Sequence, residues 1–265
     1  MVEPGLITAA ALAAARPLIR AGVSTLEIDA AAEAAIVARG AEPNFKLVPG
    51  YRHTVCASVN DAVVHGIPGG RILEPGDIVS IDAGAQYQGW NGDSALTVVV
   101  PDPDRPDVVA EREQLSRITE GSLWAGIARL ARAKHLNEVG DAIQSYIELE
   151  GQKVGHRYGI LTDYIGHGIG KDMHEAPPVF NYRVKQKGPD VKPGLVVAIE
   201  PMVVTGSIDT YVDQDEWTVI TRDGGMASHW EHSVAVHNGG VWVLTAEDGG
   251  AAGLAPFGVV PVPIA

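Results

Sequence analysis

Apolar and polar positions alternate between two textures along the chain. Residues 5–39 are Ala-rich with apolar positions at helical spacing, broken at Gly22. Ser24 and Glu27 stand at the spacing of a capping box. Two helices are therefore predicted, over about 6–20 and 25–38, with Gly40 ending the second. From residue 54 short apolar runs take over. Thr54–Val59 and Ala62–His65 flank Asn60-Asp61 and read as a hairpin, and 66–70 is a turn cluster. DIVSIDAG (77–84) and DSALTVVV (93–100) flank YQGWNG and read as a second hairpin. Residues 107–132 and 138–149 return to helical spacing, with Asn137 as a candidate N-cap for the second. After Gly151 the segments 160–167, 195–204, 215–221 and 229–237 read as strands, with Arg222–Gly225 as a hairpin turn.

Helix followed by hairpins thus occurs twice, roughly over 25–100 and 136–237, without a sequence repeat. The fold class is α+β, a mostly antiparallel sheet covered by helices. Residues 1–247 read as one domain. Residues 248–265, rich in Gly, Ala and Pro and ending in VVPVPIA, read as a tail outside the core.

Composition narrows the function classes. A chain of 265 residues buries enough surface to need no disulfide or metal merely to fold. Twenty Lys+Arg against 33 Asp+Glu leave a net charge of −13, which argues against nucleic acid as the main ligand and suits a protein that gathers carboxylates around a cation. The one cysteine, Cys56, excludes an intrachain disulfide and a Cys-based zinc site, and fits a reducing, cytoplasmic setting. No basic segment precedes the Ala-rich start, and no apolar run reaches the ~18 residues of a membrane span.

Four carboxylates and a histidine sit where apolar residues are expected. Asp82 ends the strand DIVSID, and Asp93 opens DSALTVVV. With the turn centred near Tyr87-Gln88 the two face each other directly, which is unfavourable unless a cation lies between them. Either Asp alone reads as a turn cap; the pair favours a cation. His167 lies between two glycines that permit a close approach of backbone or ligand, and His174 follows seven residues later. Glu200 closes an apolar strand before Pro201, and Glu231 lies in the apolar strand SHWEHSVAV, alternating with His229 and Ser233. A buried carboxylate needs a partner. Oxygen and nitrogen ligands without thiolates suit Mn, Fe(II), Co or Zn, and bridging carboxylates suit two ions. Residue type and spacing alone therefore point to a dinuclear metallohydrolase.

The blocks CASVNDAVVHGIP, GDIVSIDAGAQYQGWNGDSA, YIGHGIGKDMHEAP, VVAIEPM and DEWTVITRDGGMASHWEHSVAV together resemble the type I methionine aminopeptidases, in order and spacing, from about residue 20 to 245. The resemblance implies the pita-bread fold, two related α+β halves around two divalent ions. It implies that Asp82 chelates the first ion, that Asp93 and Glu231 bridge both, and that His167 and Glu200 bind the second. A water held between the ions would be the nucleophile, with Glu200 handling its proton. His65 would contact the scissile amide, and His174 would hydrogen-bond its carbonyl oxygen. Tyr51, Cys56, Met173 and Trp217 would line the methionine pocket. Substrates would be peptide or nascent-chain N-termini with a small second residue, met in part at the ribosome. The chain departs from the commonest family pattern at Phe45–Pro49 and at Met173, where Phe is frequent. It is similar to the short bacterial form: a zinc-binding N-terminal extension is absent, and too few residues separate His174 from Glu200 for the large helical insertion of type II. The rivals are a proline-specific pita-bread peptidase and a non-catalytic relative that binds RNA or protein. The first usually carries a large domain before the metal half, and the second loses ligands that are all present here.

Overall fold

A computed structural model describes residues 1–264. Helix α1 (Val2–Ala15) tightens into a 3-10 turn at Arg16–Leu18, where Pro17 removes a backbone donor. Helix α2 (Thr25–Val37) starts with the expected capping box. The Ser24 hydroxyl accepts the Glu27 N–H, and the Glu27 carboxylate accepts the Ser24 N–H. Helix α3 spans Pro106–Leu130 and α4 Glu138–Val154. Asn137 precedes α4 without capping it through its side chain, which donates instead to the Gln186 carbonyl.

The helices cover a nine-stranded sheet, antiparallel at every pairing. The long hairpin Ile78–Tyr87/Trp90–Val99 supplies one half of its centre. The strands Glu231–His237, Val196–Ile199 and Gly166–Gly168 supply the other. The halves join where Trp90–Val99 pairs with Glu231–His237. Ile28 and Ile36 of α2, Leu123 and Ile127 of α3 and Ile143 of α4 are fully buried against sheet residues such as Ile81 and Val197. This is the α+β architecture of two helix-covered halves expected from the sequence.

Three local expectations do not hold. Val55–Val59 and Ala62–Val64 are strands but not a hairpin: the first pairs with Ile78–Tyr87 and the second with Val219–Thr221. Asn60, in the left-handed region at φ 61°, binds Asp77 and the Ile78 N–H through its side chain, so the turn is tied to the sheet and the strands diverge. Arg222–Gly225 is a turn, yet the flanking Val219–Thr221 and Ala227–His229 enter two different three-stranded sheets. The Gly/Ala/Pro-rich end, read as lying outside the core, packs on it. Leu254 of the short helix Ala251–Leu254 is fully buried, Val259 joins the core, and the Val262 N–H donates to the Val241 carbonyl at 3.0 Å. A side chain at Gly249 would collide with Trp242, and one at Gly253 with Trp124. The small residues here make room for indole rings. Among the described residues no helix is long and apolar enough to cross a membrane.

Candidate metal and substrate site

The site lies where the two halves of the sheet meet. Gln88 and Gly89 both adopt positive φ, 52° and 76°, and form the hairpin turn one position later than the pattern suggested. The register is therefore Asp82↔Ala95 and Gly84↔Asp93. Asp82 and Asp93 are not directly opposed but diagonal on one face. Glu231 pairs with the same Ala95 from the neighbouring strand. One small residue thus separates two carboxylates across three strands and leaves the space above it open. Asp93 is held at its backbone by Ser233, whose Oγ accepts the Asp93 N–H at 3.1 Å and donates to its carbonyl at 2.8 Å.

His167 enters from the strand Gly166–Gly168. A Cβ on Gly166 would strike the Ala198 carbonyl oxygen, and one on Gly168 the Ala176 carbonyl oxygen. Glycine on both sides is what lets this strand lie against its neighbours. Glu200 follows the strand Val196–Ile199, and His167 Nε2 is 3.3 Å from its Oε1. The His174 ring stands edge-on to His167, with centroids 4.4 Å apart. Its loop is held by the Asn91 amide, which donates to the Gly170 and Lys171 carbonyls. His65 sits at φ 59°, a strained backbone for a non-glycine residue, beside Gly66, whose Cβ would meet the Ala57 carbonyl.

The electrostatics are those of buried carboxyls crowded together. Burial pushes the Asp82 carboxyl up to about 7. Burial, then the Asp82 and Glu200 charges, push Asp93 well above its usual range. Glu200 and Glu231 rise for the same reasons, burial first and neighbouring carboxylates second. Burial lowers His167 to about 4 and keeps it neutral, the form that offers a lone pair. Asp82 Oδ1, Asp93 Oδ1 and Glu231 Oε1 are buried without any hydrogen-bond partner. Donor atoms of Asp93, His167 and Glu231 lie within 4.8 Å of one another. Unpartnered buried oxygens, a neutral imidazole and no thiolate fit divalent cations of the Mn, Fe(II), Co or Zn type.

These residues floor a cavity of about 160 Å³ whose walls are apolar. Phe45, Tyr51 and Cys56 form a small buried cluster with Val48, Ile67, Met173 and Trp217 against it. The Tyr51 hydroxyl donates to the Val55 carbonyl at 2.7 Å, and the Tyr51 and Trp217 rings meet edge-on at 5.1 Å. The structure thus brings together all of the residues singled out in the sequence: His65, Asp82, Asp93, His167, His174, Glu200 and Glu231 with Tyr51, Cys56, Met173 and Trp217. Phe45 and Val48, within the stretch that departs from the commonest family pattern, are pocket wall. His229, to which neither spacing nor resemblance assigns a role, shares a face with Glu231 by alternation. A larger cavity of about 680 Å³ runs beside α4 between Gln144, Tyr158 and Tyr182, away from the carboxylates.

The sequence matches metallopeptidase family M24 over residues 1–238. The chain belongs to that family. It is 41% identical to methionine aminopeptidase 1 of Bacillus subtilis over 245 residues, covering 92% of this chain and 94% of that protein. It is 44% identical to methionine aminopeptidase 1 of Mycobacterium tuberculosis over 246 residues, covering 92% and 91%. The crystal structure of a methionine aminopeptidase from Thermotoga maritima superposes with a TM-score of 0.85 at 34% identity, covering 93% of this chain and 95% of that one. The two helix-covered halves are therefore those of the pita-bread fold, and the cluster of Asp93, His167 and Glu231 is a candidate site for the divalent metal that the family implies.

Proposed function

We propose that this M24 chain removes the N-terminal methionine from peptides and nascent chains whose second residue is small. The observation that carries the reading is the juxtaposition of the unpartnered carboxylates with a narrow apolar pocket. The floor fits cations, and the wall of Phe45, Tyr51, Cys56, Met173 and Trp217 fits an unbranched thioether. Asp82 would hold one ion, His167 and Glu200 the other, with Asp93 and Glu231 shared. Divalent cations held there would supply Lewis acidity, lowering the pKa of the attacking water and polarising the scissile carbonyl. The Glu200 carboxylate accepts the water's proton. His174, with one ring nitrogen protonated, donates to the carbonyl oxygen as charge develops on it. His65, on its strained turn, meets the scissile amide and narrows the space for the second side chain together with Trp217. The free α-amine of the substrate is received at the cation site, which makes the enzyme an exopeptidase.

The test is a peptide series. Met-Ala- and Met-Gly-peptides are cleaved, whereas Met-Leu-, Ala-led and Pro-led peptides are not. Comparable rates on Met-Leu and Met-Ala would end the claim of a small second residue.

A further inference from the structure

The Glu200 carboxylate is flanked on both oxygens. Oε1 faces His167 Nε2 at 3.3 Å, and Oε2 faces His229 Nε2 at 3.7 Å. His229 is only 2% exposed, and its Nε2 has no hydrogen-bond partner among the described residues. At 3.7 Å the contact with Glu200 falls short of a hydrogen bond. The His229 main chain is nonetheless clamped. Its N–H donates to Ser80 Oγ at 3.2 Å and Thr97 Oγ1 at 3.1 Å, and its carbonyl accepts from Thr97 Oγ1 at 2.7 Å. Ser80 and Thr97 are themselves 2.9 Å apart, and Ser228 Oγ donates to Thr97 Oγ1 at 3.2 Å. A buried hydroxyl cluster across three strands therefore fixes the backbone from which this imidazole reaches one carboxylate oxygen. On the other side, the Glu200 carbonyl accepts the Asn181 amide at 3.0 Å.

We propose that His229 is a positioning residue for Glu200. A neutral imidazole donates from Nε2–H to Oε2 and so turns Oε1 toward His167 and the cation site. A shift of about 0.7 Å in either side chain brings the pair to hydrogen-bond length. The contact satisfies a nitrogen that is otherwise buried without a partner, and it fixes the carboxylate rotamer before a cation arrives. Outer partners of ligands act in this way, and losing one typically lowers metal affinity or activity about 10–100-fold. The proposal rests on the reading of Glu200 as part of the metal centre.

Two substitutions separate positioning from packing. His229→Leu removes the donor and keeps an apolar filling, and His229→Gln restores an N–H donor of similar reach. Mn²⁺ is titrated calorimetrically into the metal-stripped wild type and both variants. The kcat and KM for a Met-Ala-Ser peptide and the melting temperatures of the stripped proteins are measured alongside. His229→Leu should bind Mn²⁺ about 10–100-fold more weakly and lose kcat in similar proportion. Its KM should change less than about twofold, because Glu200 acts on the reacting water and not on the methionine pocket. His229→Gln should recover most of both losses. Wild-type Mn²⁺ affinity and kcat in His229→Leu overturn the proposal. So does a His229→Gln variant as impaired as His229→Leu with both melting lower than wild type, which is a packing defect. Should the wild type bind Mn²⁺ without cleaving the peptide, the functional reading fails, and the Mn²⁺ titrations of the two variants still decide the role of His229.

Discussion

Stripping the divalent cations should make stability fall as the pH rises above neutrality. Burial pushes Asp82 up to about 7 and holds Asp93, Glu200 and Glu231 well above their usual range, so the folded chain keeps protons on these carboxyls that unfolding releases. The folded state then binds more protons than the unfolded one. Stability is full below the ordinary carboxyl range and is lost as the pH climbs toward the folded values. The buried histidines oppose this at lower pH. His167, lowered to about 4, and His229, lowered to about 3, are neutral when folded and charged when unfolded below about 6.5, so they raise stability with pH up to that point and no further. Above neutrality the histidines drop out, and only the partly buried Met1 amine, lowered by burial, still opposes the carboxyls, up to about 8. One carboxyl that stays protonated costs about 1.4 kcal/mol per pH unit. Across neutral pH the stripped protein should lose on the order of 1 kcal/mol per pH unit, a fall of roughly 2–4 °C in melting temperature for a domain of this size. The loaded protein should behave oppositely, because cations compete with protons for the same oxygens and bind better as the pH rises. Thermal melts of chelator-treated and Mn²⁺-loaded protein between pH 6.5 and 8.5 measure both slopes. Asp82→Asn should flatten the slope of the stripped form and leave it more stable at pH 8. Parallel slopes in the two forms, or a stripped form indifferent to pH, would refute the idea that these buried carboxyls await a cation.

The two histidines of GHGIGKDMH should separate cleanly. His167→Ala should lose cation affinity in calorimetric titration. His174→Ala should keep the cations and drop kcat by about 10²–10³, the usual loss for one donor to a developing oxyanion; loss of cations in His174→Ala with retention in His167→Ala would reverse the assignment. Truncation after Asp248 removes Leu254 and Val259 from the core. At about 1.5–3 kcal/mol per buried aliphatic side chain the loss is roughly 3–6 kcal/mol, a drop on the order of 10 °C in melting temperature; an unchanged melt would mean that the terminal segment adds nothing.

Features written in local chemistry were legible. Ser24 and Glu27 announced α2 because a capping box needs only residues three apart. Asp82, Asp93, Glu200 and Glu231 stood out because a charge in an apolar strand is costly unless something compensates it. What escaped depends on backbone geometry or distant partners. Gln88 does not signal its left-handed conformation, so the pattern sets the hairpin turn one position early and the two Asp residues opposite, whereas they are diagonal. Val55–Val59 and Ala62–Val64 resemble a hairpin in sequence, but Asn60 ties their turn to Asp77, and each strand pairs with a remote partner. The glycines of 249–258 resemble a loose tail until Trp124 and Trp242 are seen lying over them. His229 is named by its alternation with Glu231, yet its backbone is held by Ser80 and Thr97, more than 130 positions away.

The most direct test of the account is methionine release from a Met-Ala-Ser peptide by the chelator-treated chain, followed by stepwise return of Mn²⁺, Co²⁺, Fe²⁺ or Zn²⁺. The stripped protein should release no methionine and should recover with at least one of these ions, with Asp93→Ala inactive throughout. Release that persists at full rate in excess chelator, or that survives in Asp93→Ala, would contradict it.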